Sequence, residues 1–188
     1  SMVIVGQLIK VGATIIQSEA YFYGPDSGEP FALAQLGFMA SPRPQDTEIP
    51  IAVVGTGIVR PAMTIPFPER VGCRVMGPGV VEVDLDAYVL NSAETIQGGI
   101  VALLGELAAE SVVGSGQIAT ELDVRYLSAV RVGPGRATGR VLGRCAEGAL
   151  VRVEVRDPGR GDRLTSVIMV RTTAGAGHDT QTLHLADG

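Results

Sequence analysis

The chain has no tryptophan, and aromatic residues make up only 4% of its 188 residues. A core built without them has to come from Val, Ile, Leu and Ala. At 46% hydrophobic residues there are enough of these to exclude a globally disordered chain. Lysine is almost missing too: Lys10 is the sole example, so positive charge rests on arginine. A net charge of −5 and a pI near 5.0 speak against nucleic acid as the main partner. Two cysteines, Cys73 and Cys145, allow one bridge at most and no disulfide framework. Both are expected as free core thiols in a reducing compartment. No apolar run reaches the roughly 18 residues of a membrane span. The N-terminal stretch lacks a charged segment leading into an apolar one, so no secretory leader is expected and the cytoplasm is the expected location. No metal-ligand spacing and no Gly-x-Ser-x-Gly elbow is present, so metal-centred and serine-hydrolase routes have no support.

What is present is β-type alternation, interrupted once by a helical pattern. Residues 3–39 read as strands, with a turn at Gly24-Pro25-Asp26-Ser27-Gly28 between two apolar runs. Residues 42–52 are polar and proline-bearing and read as a linker. Arg74 to Gly79 reads as a turn, and residues 63–72 as irregular with a short helical turn. Val80 to Leu90 reads as one strand, with Val81, Val83, Leu85, Ala87 and Val89 on one face and Glu82, Asp84, Asp86 and Tyr88 on a solvated face. A helix is expected over about 97–113, ended by Gly114-Ser115-Gly116. Strands follow at about 118–128, 135–145, 148–157 and 163–174. One helix with a run of antiparallel strands is an α+β domain. The helix is apolar nearly all round, so a sheet is expected to curl around it.

Residues 3–40 also resemble residues 130–174, which suggests an internal repeat. The expected organisation is a partial repeat with strands only (1–41), a linker (42–52), a complete domain (53–174) and a polar tail (175–188). Either the chain begins partway through a first repeat, or the N-terminal strands extend the sheet of the complete unit.

The helix entry carries the chemistry. Asn91 is followed six residues later by Gln97-Gly98-Gly99, and nine residues after Gln97 a carboxylate, Glu106, sits among leucines and alanines. Glycines at a helix start can offer bare N–H groups to a ligand oxygen, where the helix dipole also favours negative charge. A carboxylate in an apolar helix is costly unless paired, protonated or used. Together they suggest an oxyanion site with a general base.

These elements, with Thr120-Glu121-Leu122-Asp123-Val124-Arg125-Tyr126-Leu127, resemble the hotdog-fold acyl-CoA thioesterases, nearest the phenylacetate-pathway and 4-hydroxybenzoyl-CoA types. The resemblance covers roughly residues 53–174. It implies an antiparallel sheet wrapped around a central helix. It also implies thioester hydrolysis, with Glu106 as general base or nucleophile and Gly99 N–H, with Gly98 beside it, as oxyanion donor. Asn91 would orient water or the carbonyl, Thr120 would assist, and Arg131 and Arg136 would hold the phosphates of coenzyme A. No cofactor is implied beyond the coenzyme A of the substrate. One departure stands out: the family's usual histidine is Gln97. Gly99 and Glu106 are also seven residues apart, about 10 Å along a helix. In the family, the carboxylate of one subunit works with the glycine amide of its neighbour, so a homodimer or a dimer of dimers is implied.

Plainer readings compete. Glu106 and Glu110 can be ordinary helix carboxylates, Gly98 and Gly99 can serve close packing, Asn91 can be a cap, and Arg131 and Arg136 can be solvated turn residues. His178 and His184 fall in the polar tail. A non-catalytic acyl-CoA-binding protein and an assembly protein on the same fold are the functional rivals.

Overall fold

A computed structural model describes residues 2–39, 64–91 and 93–175. The expected linker, residues 53–63 of the expected complete domain, and His178 and His184 lie outside the described residues. The chain divides into two compact units, Ser1–Val59 and Arg60–Gly188.

In the first unit, β1 (Val3–Val11), β2 (Ile15–Tyr23) and β3 (Pro30–Met39) form an antiparallel meander in the order β1-β2-β3. The chain reverses at the expected 24–28 turn, where Ser27 N–H donates to the Gly24 carbonyl at 3.4 Å. Gly6 and Gln7 break the apolar run in the sequence without breaking the strand; the irregularity comes later, between Leu8 and Lys10. Strand alternation and register put Ile4, Gly6, Leu8, Ser18, Ala20, Phe22, Ala34 and Leu36 on one face without a charge. The other face is polar at its centre, where Glu19 accepts from Gln7 and from the Tyr21 hydroxyl. These strands make a three-stranded sheet of their own.

The second unit opens with a short helix, α1 (Phe67–Arg70). Its sheet has six antiparallel strands: β4 (Arg74–Gly77), β5 (Val80–Val83), β6 (Gln117–Tyr126), β7 (Gly135–Cys145), β8 (Gly148–Asp157) and β9 (Arg163–Ala174), in the order β4-β5-β7-β8-β9-β6. The helix α2 (Gly98–Val113) packs on one face. Inward residues alternate along β8, so Val151, Val153 and Val155 are fully buried with Ile168 and Val170 of β9 and Leu104 of α2. Contact between helix and sheet is close: a Cβ on Gly139 would sit 3.0 Å from the Ala108 carbonyl oxygen. Gly114, at φ 103°, ends α2 and donates to the Glu110 carbonyl.

Four expectations change here. The segment read as a turn at Arg74–Gly79 begins with β4, and Val80–Leu90 is a strand only as far as Val83. Val83 pairs with Gly135, the first residue of β7, so beyond it the ladder has no partner. The chain leaves the sheet, and Val89 returns to the core from a loop. Glu82, placed on the solvated face, is only 6% exposed, because the Arg136 and Arg74 side chains cover and pair with it. Arg74, Glu82, Arg136 and Arg156 are in register across β4, β5, β7 and β8, on the face away from α2. Finally, Cys145 is exposed at the β7–β8 turn and does not belong to the core; Cys73 is half-buried, its thiol pushed up to about 11 by burial.

Candidate active site

The site is built where α2 begins and β6 ends. Gln97 is the N-cap of α2: its Oε1 accepts from Ile100 N–H at 3.1 Å. Gln is not among the favoured N-cap residues, but its amide oxygen does here what a shorter Asn or Ser side chain usually does. The side chain also lies over the helix start, so that a Cβ on Gly99 would meet Gln97 Oε1 at 2.8 Å. No acceptor for the Gly98 or Gly99 N–H is found among the described residues. These are the donors that every helix start leaves over.

A pocket of 370 Å³ adjoins this helix entry, lined by Asn91, Thr95, Gly98, Val101, Tyr126 and Ser128 among others. Gly98 forms part of its wall, while Gly99 is exposed beside it on the open side of the helix. The Asn91 side chain holds its own loop together. Its Oδ1 accepts from Ala93 N–H at 2.9 Å and from the Thr95 N–H and hydroxyl at 3.3 and 3.2 Å. This closes the 91–95 turn and leaves the Asn91 amide nitrogen as the group able to face a ligand.

Glu106 lies half-buried on the same side of α2 as Gly99, Ala102, Leu103 and Glu110, a stripe that holds none of the helix's buried residues. Burial, and then the charge of Glu110, raise its pKa above the ordinary carboxylate range. A carboxyl held up this way is poised to take and return a proton. Glu110 is accounted for by packing, since its Oε1 accepts from Ala119 N–H at 2.9 Å.

The other expected site residues separate. Thr120 sits in a β-bulge, between Ala119 paired with Thr172 and Glu121 paired with Arg171; its hydroxyl donates to the Arg171 carbonyl at 3.3 Å. It lies six residues before Tyr126, roughly 20 Å along a strand rising about 3.3 Å per residue, so it is not part of the pocket. Arg136 points to the sheet face opposite α2 and is committed to Glu82, so alternation along β7 removes it from the pocket. Arg131 stays near the rim: it follows the lining residue Val130, and its guanidinium donates to the Ala93 carbonyl at 3.4 Å. Its segment is fixed by the fully buried Asp157, whose carboxylate accepts from the N–H groups of Arg131, Val132 and Gly133.

Sequence reading missed Tyr126. Its hydroxyl donates to the Gly98 carbonyl at 2.9 Å and its ring lines the pocket. The signal was its place at the end of the strand pattern, level with the helix start.

No family model matches the chain, and no curated protein matches it by sequence. Solved structures do match. A Bacillus halodurans protein solved with CoA is 18% identical, with a TM-score of 0.50 over 56% of this chain and 73% of that one. The PaaI protein of the E. coli phenylacetic acid degradation operon is 17% identical, with a TM-score of 0.50 over 58% of this chain and 84% of its own. A mutant of the Thermus thermophilus PaaI protein is 21% identical, with a TM-score of 0.50 over 58% and 99%. With its antiparallel sheet packed on a single long helix, the second unit of this chain has the hotdog fold shared by these structures.

Proposed function

We propose that the chain hydrolyses acyl-CoA thioesters as a pair of copies. One observation carries this reading. The Gly98 and Gly99 N–H groups at the start of α2, without an acceptor among the described residues, lie beside a pocket, with a half-buried carboxylate further along the same open face. The thioester carbonyl oxygen accepts from Gly99 N–H. Glu106 takes a proton from water as the water oxygen bonds to the thioester carbon. The resulting oxyanion is held by the N–H group and the positive end of the helix dipole. Collapse breaks the carbon–sulfur bond, and the thiolate of coenzyme A recovers the proton from Glu106. About 10 Å of helix separates Gly99 from Glu106 within one chain, so the carboxylate is supplied by a second copy. Coenzyme A enters only as part of the substrate, and Arg131 at the rim would meet its phosphates. The CoA bound in the Bacillus halodurans structure supports this ligand class.

The test is release of free thiol from short, medium, long, phenylacetyl and benzoyl thioesters of coenzyme A, comparing the parent with Glu106→Ala. Turnover by the parent that is lost in the folded variant is the expected result. Unchanged hydrolysis in the variant would remove Glu106 from the mechanism. A second reading, acyl-CoA binding without hydrolysis, is favoured by one feature: the Gln97 amide lies over Gly99, where the family has a histidine. Binding by the parent without turnover would select it.

A further inference from the structure

We infer that Tyr126 is a positioning residue for the oxyanion donor: its hydroxyl grips the Gly98 carbonyl and so sets the peptide whose other end is the Gly99 N–H. This rests on the thioesterase reading of the same site.

The Gly98 carbonyl and the Gly99 N–H belong to one planar peptide unit and point in opposite directions. Fixing one end therefore aims the other. Glycine on both sides makes this peptide the one in α2 with the least steric restraint on its orientation. Ordinary helix bonding restrains it from the carbonyl side, and the Tyr126 hydroxyl adds a second restraint at 2.9 Å. A donor on the carbonyl also draws electron density along the amide, which makes the N–H a stronger donor to a developing oxyanion.

Tyr126 is itself well anchored. It is the last residue of β6, paired with Ser166 of β9, and the next two N–H groups, Leu127 and Ser128, both donate to the Thr165 carbonyl at 2.9 Å. The hydroxyl stands close enough to the helix start that a Cβ on Gly98 would lie 3.3 Å from it and crowd the approach. A tyrosine hydroxyl is protonated through the neutral range and so can donate; partial burial shifts the Tyr126 pKa further upward.

Tyr126→Phe removes one oxygen and keeps the ring against the pocket. The variant should lower kcat about tenfold with KM within a factor of two, and the carboxylate limb of the pH–rate profile should stay in place. A purely structural tyrosine would instead lower the melting temperature and leave kcat alone; that result overturns the inference. A spectroscopic measurement separates this outcome from failure of the thioesterase reading. In isotope-labelled protein, Tyr126→Phe should shift the Gly98 carbonyl carbon and the Gly99 amide proton, whether or not the parent turns over. Unshifted resonances at both atoms overturn the inference independently of catalysis. If the parent hydrolyses nothing but the resonances move, the clamp stands and the thioesterase reading falls.

Discussion

In the six-stranded sheet Val153 and Ile168 are fully buried, whereas in the three-stranded sheet Leu8 is 65% exposed and Phe38 53% exposed. Both sheets are antiparallel and carry small residues on an apolar face: Gly139 beneath α2 in one, and the row Gly6, Ala20 and Ala34 in the other. The difference lies in what covers them. α2 covers the larger sheet, and no helix lies within the described residues of the smaller unit. The comparison teaches that alternation identifies the face a strand would bury, while burial itself needs a second layer. The same layer makes the site possible, because the bare N–H groups and Glu106 both belong to α2.

The largest effect expected from breaking this contrast is on catalysis. Glu106→Gln should cut turnover by about 10²- to 10⁴-fold, measured as thiol release, while substitutions on the three-stranded sheet should leave kcat near the parent value. The same variant should reveal a cost in stability. Because the Glu106 pKa is raised on folding, the carboxyl contributes fully below its unfolded pKa and loses that contribution as pH rises through the folded value. Glu106→Gln should therefore melt higher than the parent at pH 8 and at nearly the same temperature at pH 4. A variant that melts lower at pH 8 would mean that the carboxylate is paired.

Next in size is Leu104→Ala, which opens a cavity beneath α2 and should cost about 2–5 kcal/mol in denaturant unfolding. Leu8→Ala, made on the three-stranded sheet where Leu8 is 65% exposed, should change stability by only about 0.5 kcal/mol or less. Equal costs at the two positions would show that the smaller sheet is covered, and the contrast would be lost.

Asp157→Ala should cost about 2 kcal/mol near neutral pH, because three backbone N–H groups, that of Gly133 buried, lose their acceptor. Burial pushes the Asp157 carboxyl up, but the three backbone donors and Arg160 outweigh that and leave it below its ordinary value. The stabilisation is then present above the unfolded pKa and fades as pH falls through the folded one. Parent and variant should converge in acid, and a gap independent of pH would point to packing instead.

Much of the fold was legible because local signals agreed. The ends of β7, β8 and β9 coincide with glycine and Asp-Pro-Gly punctuation, and α2 with its glycine entry and Gly114 exit. Legibility failed where a neighbour from a distant part of the chain decided the outcome. Val80–Leu90 alternates throughout, but only Val80–Val83 finds a partner strand. Glu82 looked solvated because nothing local announces that Arg136, fifty-four residues on, covers it. At the helix entry Asn91 and Gly98 line one pocket, with Gln97 as the cap of α2 and Gly99 beside it. Thr120 fitted the strand pattern but sits in a bulge far along β6, and Tyr126 became visible only when β6 was laid beside α2.

The row Arg74, Glu82, Arg136 and Arg156 has a consequence for how the sheet finds its alignment. Strand side chains alternate with a period of two, so sliding any of these strands by one residue would turn a charged side chain inward beneath α2 and carry an apolar one out. An unpaired charge on that face costs far more than the apolar contact it replaces. The four residues therefore act as a key for strand pairing: a sheet misaligned by one residue would bring an unpaired charge under α2 where Leu104 and the valines pack.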